Sequence, residues 1–403
     1  MKILAFTSLY PPFYKGGYEI AAKSFIDSLR RKGHRIKVVS SRYGVTHQTK
    51  TEPGVLRSLH YLNYNHLNEP FYNKFPFICS ILSAIRRSIL TIFNGIIAGR
   101  IIQRYKPDIL FLWDMREISY HTVFFKVRES IPVVIMVEDK VFNWHTISNC
   151  FLSAFPFNKA YCRFDHVFCV SSVMKKYALS TGYASNRISI VPNGIANDWL
   201  IEKIDFKKPS GRLLYVGRLS KIKGIHNIIM SLHYLQKCYT EDIVLTIIGS
   251  GDQDYIAYLK SLITRYNLMK TVRFQGKLSY QDLKYIYTQH DLLIVSSIYQ
   301  EPFGLILIEA MSRGLPVIAS DIGGPSEIVE DQITGLLYSP DDPKDLAKKI
   351  EYILTDHTLY NTIRKNALSK VKQHYLIDKV AIKIEQTLHG LIKNNKHESE
   401  TIS

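Results

Sequence analysis

With 403 residues, 46% of them hydrophobic and 22% charged, the chain is too long for one ordinary core and too apolar for a disordered one, so two domains or one large one are expected. A formal charge of +17 is concentrated in residues 1–200, where 26 basic residues face 12 acidic ones for a net of +14, against +3 in residues 201–403. That field suits an anionic partner, but with no RNP motif, zinc-ligand spacing or basic zipper it does not point to nucleic acid, and five cysteines without a C-x-x-C pair argue against a disulfide frame or structural zinc and for a reducing compartment.

Residues 3–6 read as a first strand, because the apolar run breaks at Tyr10-Pro11-Pro12 before a signal peptide's apolar region is complete. Lys15-Gly16-Gly17 separates it from a helix with one apolar face of Ala22, Phe25, Ile26 and Leu29. The two glycines can bring backbone N–H groups to an anion, or simply form a loop; without G-x-G-x-x-G and an acid about twenty positions on, no dinucleotide fingerprint is made. After a strand at 36–39, residues 75–102 are the most apolar stretch, and Arg86, Arg87 and Arg100 within it argue against a membrane span. Apolar positions 78, 81, 82, 85, 89, 92, 93 and 96 follow helical spacing with Lys74, Arg86, Arg87, Arg100, Arg104 and Lys106 interleaved. Two readings stand: a basic amphipathic helix on an anionic bilayer, or a core-facing helix with solvated arginines.

Strands at 109–112, 133–137, 167–170 and 188–191 complete the first half, and a second series follows at 213–216, 244–248, 272–274, 292–295 and 317–319. Strands alternating with helices predict an α/β protein of two doubly wound Rossmann-like domains, 1–200 and 201–375, joined near 197–211. One helical stretch at about 345–372 closes the second domain. A further helix, 378–392, can cross back to the first domain within a segment 376–403 whose polar tail, 393–403, is expected to fray. Two such domains facing each other would form a ligand cleft at the carboxyl ends of their strands.

Chemistry-bearing residues collect in the second half. Glu301 and Glu309 bracket Pro302-Phe303-Gly304-Leu305-Ile306-Leu307-Ile308, with Pro302 suiting a helix start. Glu309 lies in an apolar helix, where an unpartnered carboxylate costs several kcal/mol; ligand hydroxyls such as a ribose's would supply donors, as would a core arginine. Gly304 lets backbone N–H groups approach an anion or a sugar oxygen. After the strand at 213–216, Arg218 and Lys223 stand where a strand delivers residues to a cleft and can together neutralise a diphosphate, or form a solvated basic loop. Gly249-Ser250-Gly251, Gly276-Lys277-Leu278 and Gly323-Gly324-Pro325 follow three further strands. Asp252 and Asp254 read as the acidic start of a helix rather than as metal ligands.

In order, Val191-Pro192-Asn193-Gly194-Ile195, Gly217-Arg218-Leu219 with Lys223-Gly224, Gly249-Ser250-Gly251, Glu301-Pro302-Phe303-Gly304 with Glu309, and Gly323-Gly324 resemble glycosyltransferase family 4. The likeness covers about residues 1–390 and is strongest over 188–338. It implies a GT-B fold and an enzyme that transfers a hexose-type sugar, with retention and no donor-bound metal or other cofactor, from a UDP- or GDP-sugar to a hydroxyl acceptor. By the family pattern Glu301 meets sugar hydroxyls and Glu309 the ribose. Arg218 and Lys223 hold the diphosphate and act as catalytic groups with Glu301. Phe303, Gly304 and Leu305 offer backbone N–H groups, Gly249 lines the donor site, Lys277 and Leu278 meet the base, and Gly16 and Gly17 face phosphates or acceptor.

Where family members often carry a His-Asp pair, this chain has Glu138-Asp139, with Trp144 and His145 a few residues on. Glu138 is taken as the polar group near the reacting carbon, with Asp139, Trp144 and His145 on the acceptor side. The acceptor expected is a glycan or lipid-linked oligosaccharide of cell-surface polysaccharide synthesis, met by a cytoplasmic protein peripheral on the inner face of the cell membrane, its basic first half toward the anionic surface. Rival readings are a GT-B sugar-nucleotide epimerase and a noncatalytic nucleotide-sugar or glycan binder.

Overall fold

The computed structural model describes residues 1–14, 16–46, 49, 52–62, 76–115, 117–124, 131–139, 164–236 and 242–401. Backbone contacts divide the chain into one unit of Met1–Val170, Met174–Val191 and Val380–Ser403 and another of Ser171–Val173 with Pro192–Lys379. The borders expected at 200 and 375 thus fall inside the second unit. Residues 192–200 belong to it because Arg313 donates to the Trp199 carbonyl at 3.1 Å and Lys284 pairs with Asp198, and 376–379 because the Ile377 N–H bonds the Ile195 carbonyl at 2.9 Å; Asp291, fully enclosed, ties in the rest of the linker through Lys207 at 2.6 Å and the Ser210 and Arg212 N–H groups at 3.0 Å each.

In chain order the first unit contains β1 (Lys2–Phe6), α1 (Gly17–Arg31), β2 (Arg35–Ser41), β3 (Val55–Leu59), α2 (Pro76–Tyr105), β4 (Ile109–Leu112), α3 (His121–Phe124), β5 (Val133–Val137), β6 (His166–Cys169), α4 (Ser172–Ser180) from Met174 on, and β7 (Ile188–Ile190). Its strands pair in parallel in the order β3-β2-β1-β4-β5-β6-β7. Strands β4, β5 and β6 are buried along their whole length, the consequence in β4 and β5 of unbroken apolar runs, while His166 at the start of β6 finds Ser189 Oγ at 2.9 Å. Sequence patterning missed β3, an edge strand whose Leu56 is exposed and whose Arg57 reaches back to the Tyr10 and Pro11 carbonyls at 3.0 and 2.6 Å, so no continuous apolar run marks it.

Helix α2 corrects one of the two readings offered for its sequence. Its packed face, against β3 and α3, is built from Thr91, Asn94, Ala98 and Ile102. Asn94, fully buried, accepts from the His60 N–H at 2.6 Å and donates to the His60 carbonyl at 2.9 Å, imitating a strand's ladder. Positions 81, 82, 85, 89, 92 and 93 of the stripe read as core-facing turn outward instead, while 96 is half-buried and the side chain at 78 lies outside the described residues.

The second unit contains β8 (Arg212–Val216), α5 (Ile225–Leu235), β9 (Val244–Ile248), α6 (Gln253–Arg265), β10 (Val272–Gly276), α7 (Tyr280–Gln289), β11 (Leu292–Val295), α8 (Leu305–Ser312), β12 (Val317–Ser320), α9 (Pro325–Ile328), β13 (Leu336–Tyr338), α10 (Pro343–Thr355) and α11 (His357–Lys370). Its parallel order is β10-β9-β8-β11-β12-β13. Leu213, Ile228, Leu245, Leu259, Ile294 and Ile350 belong to the core that joins this sheet to its helices. The single helix expected over 345–372 is two, because Asp356 turns its carboxylate to the N–H groups of Thr358 and Leu359 at 3.0 and 2.9 Å and starts a new helix.

Helix α12 (Ile377–Thr401) begins in the second unit and runs on in the first. The tail expected to fray continues it to Thr401. Val380, Ala381, Ile384 and Leu388 are buried and Glu385 pairs with Lys32 and His34 at 3.0 and 2.7 Å, so the helix is already nucleated when it reaches its polar end.

Candidate functional site

Because all strands of the second sheet run the same way, the loops after β8, β9, β10, β11 and β12 leave from one edge, and the backbone stitches them together. The Leu219 N–H donates to the Ser250 carbonyl at 3.0 Å, Asp252 N–H to the Leu219 carbonyl at 2.9 Å and Gly249 N–H to the Gly276 carbonyl at 2.8 Å. Gly249 has φ +148° and a Cβ there would lie 1.8 Å from the Gly217 carbonyl oxygen, so close backbone approach alone requires glycine. On the other side Ile298 N–H bonds the Ile222 carbonyl at 2.9 Å and Ser296 Oγ the Lys223 carbonyl at 2.8 Å, while Gly324 N–H bonds the Glu301 carbonyl at 2.7 Å.

This frame brings Lys223 and Glu301 into contact. Glu301 is buried, and its Oε1 accepts from both Lys223 Nζ and Ser297 Oγ. The Lys223 ammonium also lies 5.2 Å above the Tyr299 ring. Burial, the largest single influence, pulls the lysine's pKa down, yet the Glu301 carboxylate and the Tyr299 hydroxyl together outweigh it and hold the group above the ordinary lysine value, so it stays a cation. Arg218 stands apart on the surface, with the Tyr215 hydroxyl donating to its carbonyl at 2.9 Å. Two cations and a carboxylate on rigid loops can bind a polyanion next to a polyol. Ser297 and Tyr299 escaped the sequence reading; Ser297, four residues before Glu301, was the visible signal.

Helix α8 starts at Leu305 after Gly304, whose φ of +101° favours glycine, and not at Pro302 as expected. Gly304 and Leu305 therefore stand at the positive end of the helix, where N–H groups lack intrahelical acceptors. Phe303 is buried, its ring edge-on to Tyr375 with centroids 6.1 Å apart. Glu309 is buried inside the helix and finds donors within the protein: the Tyr287 hydroxyl lies 2.8 Å from Oε2, and Tyr280 also hydrogen-bonds the carboxyl. Its partner is thus a tyrosine pair and not an arginine. Burial raises the Glu309 pKa to about 7, opposed by the two hydroxyls. Tyr280 and Tyr287 are seven residues apart, two turns on one face of α7, a spacing the sequence displayed. Lys277 is exposed and Leu278 half-buried in the loop just before α7. Asp252 caps α6 through the Asp254 and Tyr255 N–H groups at 3.0 and 3.4 Å.

In the first unit Gly16 caps α1, and Gly17 is its first residue. The Gly16 N–H donates to the buried Glu19 carboxylate at 3.1 Å, so a side chain already meets one donor of that turn. Gly16 has extended backbone, and nothing lies within 4 Å of the position its Cβ would take. Glu138 is buried just past β5 and Asp139 is half-buried; Trp144 and His145 lie outside the described residues. For a metal, His34, Glu385 and His389 bring ligating atoms within 4.8 Å of one another. Both Glu385 oxygens are occupied, however, by Lys32 and His34, whose hydrogen bonds hold its carboxyl below the usual range despite burial.

Comparison with known proteins bears on both halves. Residues 15–199 match the family model Glycosyltransferase Family 4 and residues 198–370 the model Glycosyl transferases group 1. An uncharacterized glycosyltransferase of Methanocaldococcus jannaschii is 30% identical over 229 residues, 53% of this chain and 57% of that protein. The sulfoquinovosyl transferase SQD2 of Arabidopsis thaliana is 25% identical over 398 residues, 93% of this chain and 70% of that protein. The crystal structure of Anabaena HepE with UDP and glucose is similar at a TM-score of 0.70 and 20% identity, covering 97% of this chain and all of that one. The match spans about half the length of the first curated relatives, between 45% and 57%.

Proposed function

The chain belongs to the family 4 glycosyltransferases and has their GT-B fold, and on that premise we propose that it moves a hexose-type sugar, with retention, from a UDP- or GDP-sugar to a hydroxyl of a glycan or lipid-linked acceptor. The observation that carries this reading is the Lys223 and Glu301 contact on loops stitched along one edge of a parallel sheet. Arg218 and Lys223 receive the diphosphate and Glu301 the sugar hydroxyls; as the acceptor oxygen bonds the anomeric carbon, the bond from that carbon to the phosphate oxygen breaks with its electron pair going to the neutralised diphosphate, which takes the acceptor's proton. Lys277 and Leu278 take the base, Glu309 the ribose, and Phe303, Gly304 and Leu305 the phosphate or sugar oxygens. The two side-chain cations do the charge work a donor-bound metal would do, which supports transfer without one.

The first unit is assigned the acceptor, with Gly16 and Gly17 at its glycine turn and Glu138 as the polar group beside the reacting carbon. UDP and glucose in HepE favour a UDP-hexose as donor. The net charge of +14 in residues 1–200 supports work at the anionic inner face of the cell membrane, hence a lipid-linked acceptor of polysaccharide synthesis.

The test is nucleotide release across UDP-, GDP- and ADP-sugars with detergent-solubilised lipid acceptors, followed by NMR of the product's anomeric configuration. One nucleotide should be released, with Glu301→Ala lowering the rate at least about a hundredfold. Inversion at the anomeric carbon would reject retention, and release untouched in Glu301→Ala would reject the site.

A further inference from the structure

Ile81, Leu82, Ile85, Ile89, Ile92 and Phe93 of α2 are each between 44 and 53% exposed. At 100° per residue they fall on one side of the helix, opposite Thr91, Asn94, Ala98 and Ile102, which are buried. A stripe of six large apolar side chains on water is far more than the scattered exposure any surface carries. The exposed side chains of Arg86, Arg100 and Arg104 lie on the same side, Arg100 and Arg104 just beyond the stripe's C-terminal end.

We propose that this face of α2 is a docking surface that lies flat in the interface of an anionic lipid leaflet. The charge pattern selects that occupant: the stripe enters the acyl boundary while the arginines meet lipid phosphates, and the net +14 of residues 1–200 adds long-range attraction. Although Ile81–Tyr105 is long and apolar enough to cross a membrane, the helix does not span one. Asn94 is bonded to the His60 backbone, so the opposite side cannot leave the protein, and the stripe from 81 to 93 is only about 18 Å long, against the roughly 30 Å of a hydrocarbon core. The inference deepens the reading of a lipid-linked acceptor by naming the surface that brings the enzyme to it.

The experiment is flotation of the full chain with phosphatidylcholine vesicles, with and without phosphatidylglycerol, beside light scattering of the protein alone. The expected result is binding that requires the anionic lipid, falls with salt, drops at least about tenfold in Ile89→Glu with Phe93→Glu, and loses its anionic preference in Arg86→Glu with Arg100→Glu. These positions face outward, so circular dichroism and melting should be unchanged. A dimer lost in the apolar double variant, without vesicle binding, would assign the stripe to a second copy of the chain and overturn the proposal, as would neither binding nor dimer. Nucleotide release in detergent should persist in both double variants; vesicle binding without release of any nucleotide by the parent protein would sink the transferase reading and leave the docking surface standing.

Discussion

Helices α8 and α2 are both mainly apolar runs interrupted by charge, one glutamate in α8 and four arginines in α2, and they are turned in opposite senses. In α8 the carboxylate of Glu309 is inside, held by tyrosine hydroxyls, and Leu307, Ile308 and Met311 are fully buried around it. In α2 the exposed large apolar residues from Ile81 to Phe93 line one side, and the packed side is Thr91, Asn94, Ala98 and Ile102. Periodicity identifies a face; only the partners decide which way it turns. An apolar stripe on the outside costs free energy in water, whereas the inward carboxylate is compensated by the tyrosine hydroxyls that meet it.

The comparison is sharpened most by Leu307→Ala in α8, which should cost about 2–5 kcal/mol in urea unfolding, while Ile89→Ala in α2 should change stability by less than about 0.5 kcal/mol. Equal effects would mean that the α2 stripe is packed in solution.

Glu309 offers a pH test. Its folded pKa, about 7, is above the unfolded carboxylate value, so the native state holds the proton more tightly; the associated stability is complete below the unfolded value and is lost as pH rises through about 7. Glu309→Gln should remove that slope, worth on the order of 3 kcal/mol at most. A slope that persists in the variant would assign it to other groups. Asn94→Ala, on the packed side of α2, should cost about 1–3 kcal/mol by leaving the His60 N–H and carbonyl unsatisfied. An unchanged midpoint would mean that α2 is not anchored through Asn94.

Much of the fold was legible. Buried parallel strands advertise themselves as short apolar runs, and 109–112, 133–137, 244–248 and 292–295 have the bounds expected of them. Of the four edge strands, β7 and β10 were read, while β3, broken by Arg57 and Ser58, and β13, only three residues long, went unread. The nearness of Lys223 to Glu301 was implied by family likeness alone, since no spacing rule joins residues 78 positions apart. Gly249 and Gly16 make the same point. Sequence treated both as ligand-facing glycines, but Gly249 is required by a neighbouring carbonyl, whereas neither crowding nor backbone strain requires Gly16.

Sequence alone was enough for the class of fold, the family and the inventory of charged and hydroxylic groups, because strand and helix periods and ordered motifs are local properties of a chain. The pairing of Lys223 with Glu301, the tyrosine hydroxyls on Glu309 and the outward turn of α2 required tertiary structure. Each depends on which distant segment arrives to satisfy or to leave bare a given face, and a chain read residue by residue carries no record of its neighbours across a fold.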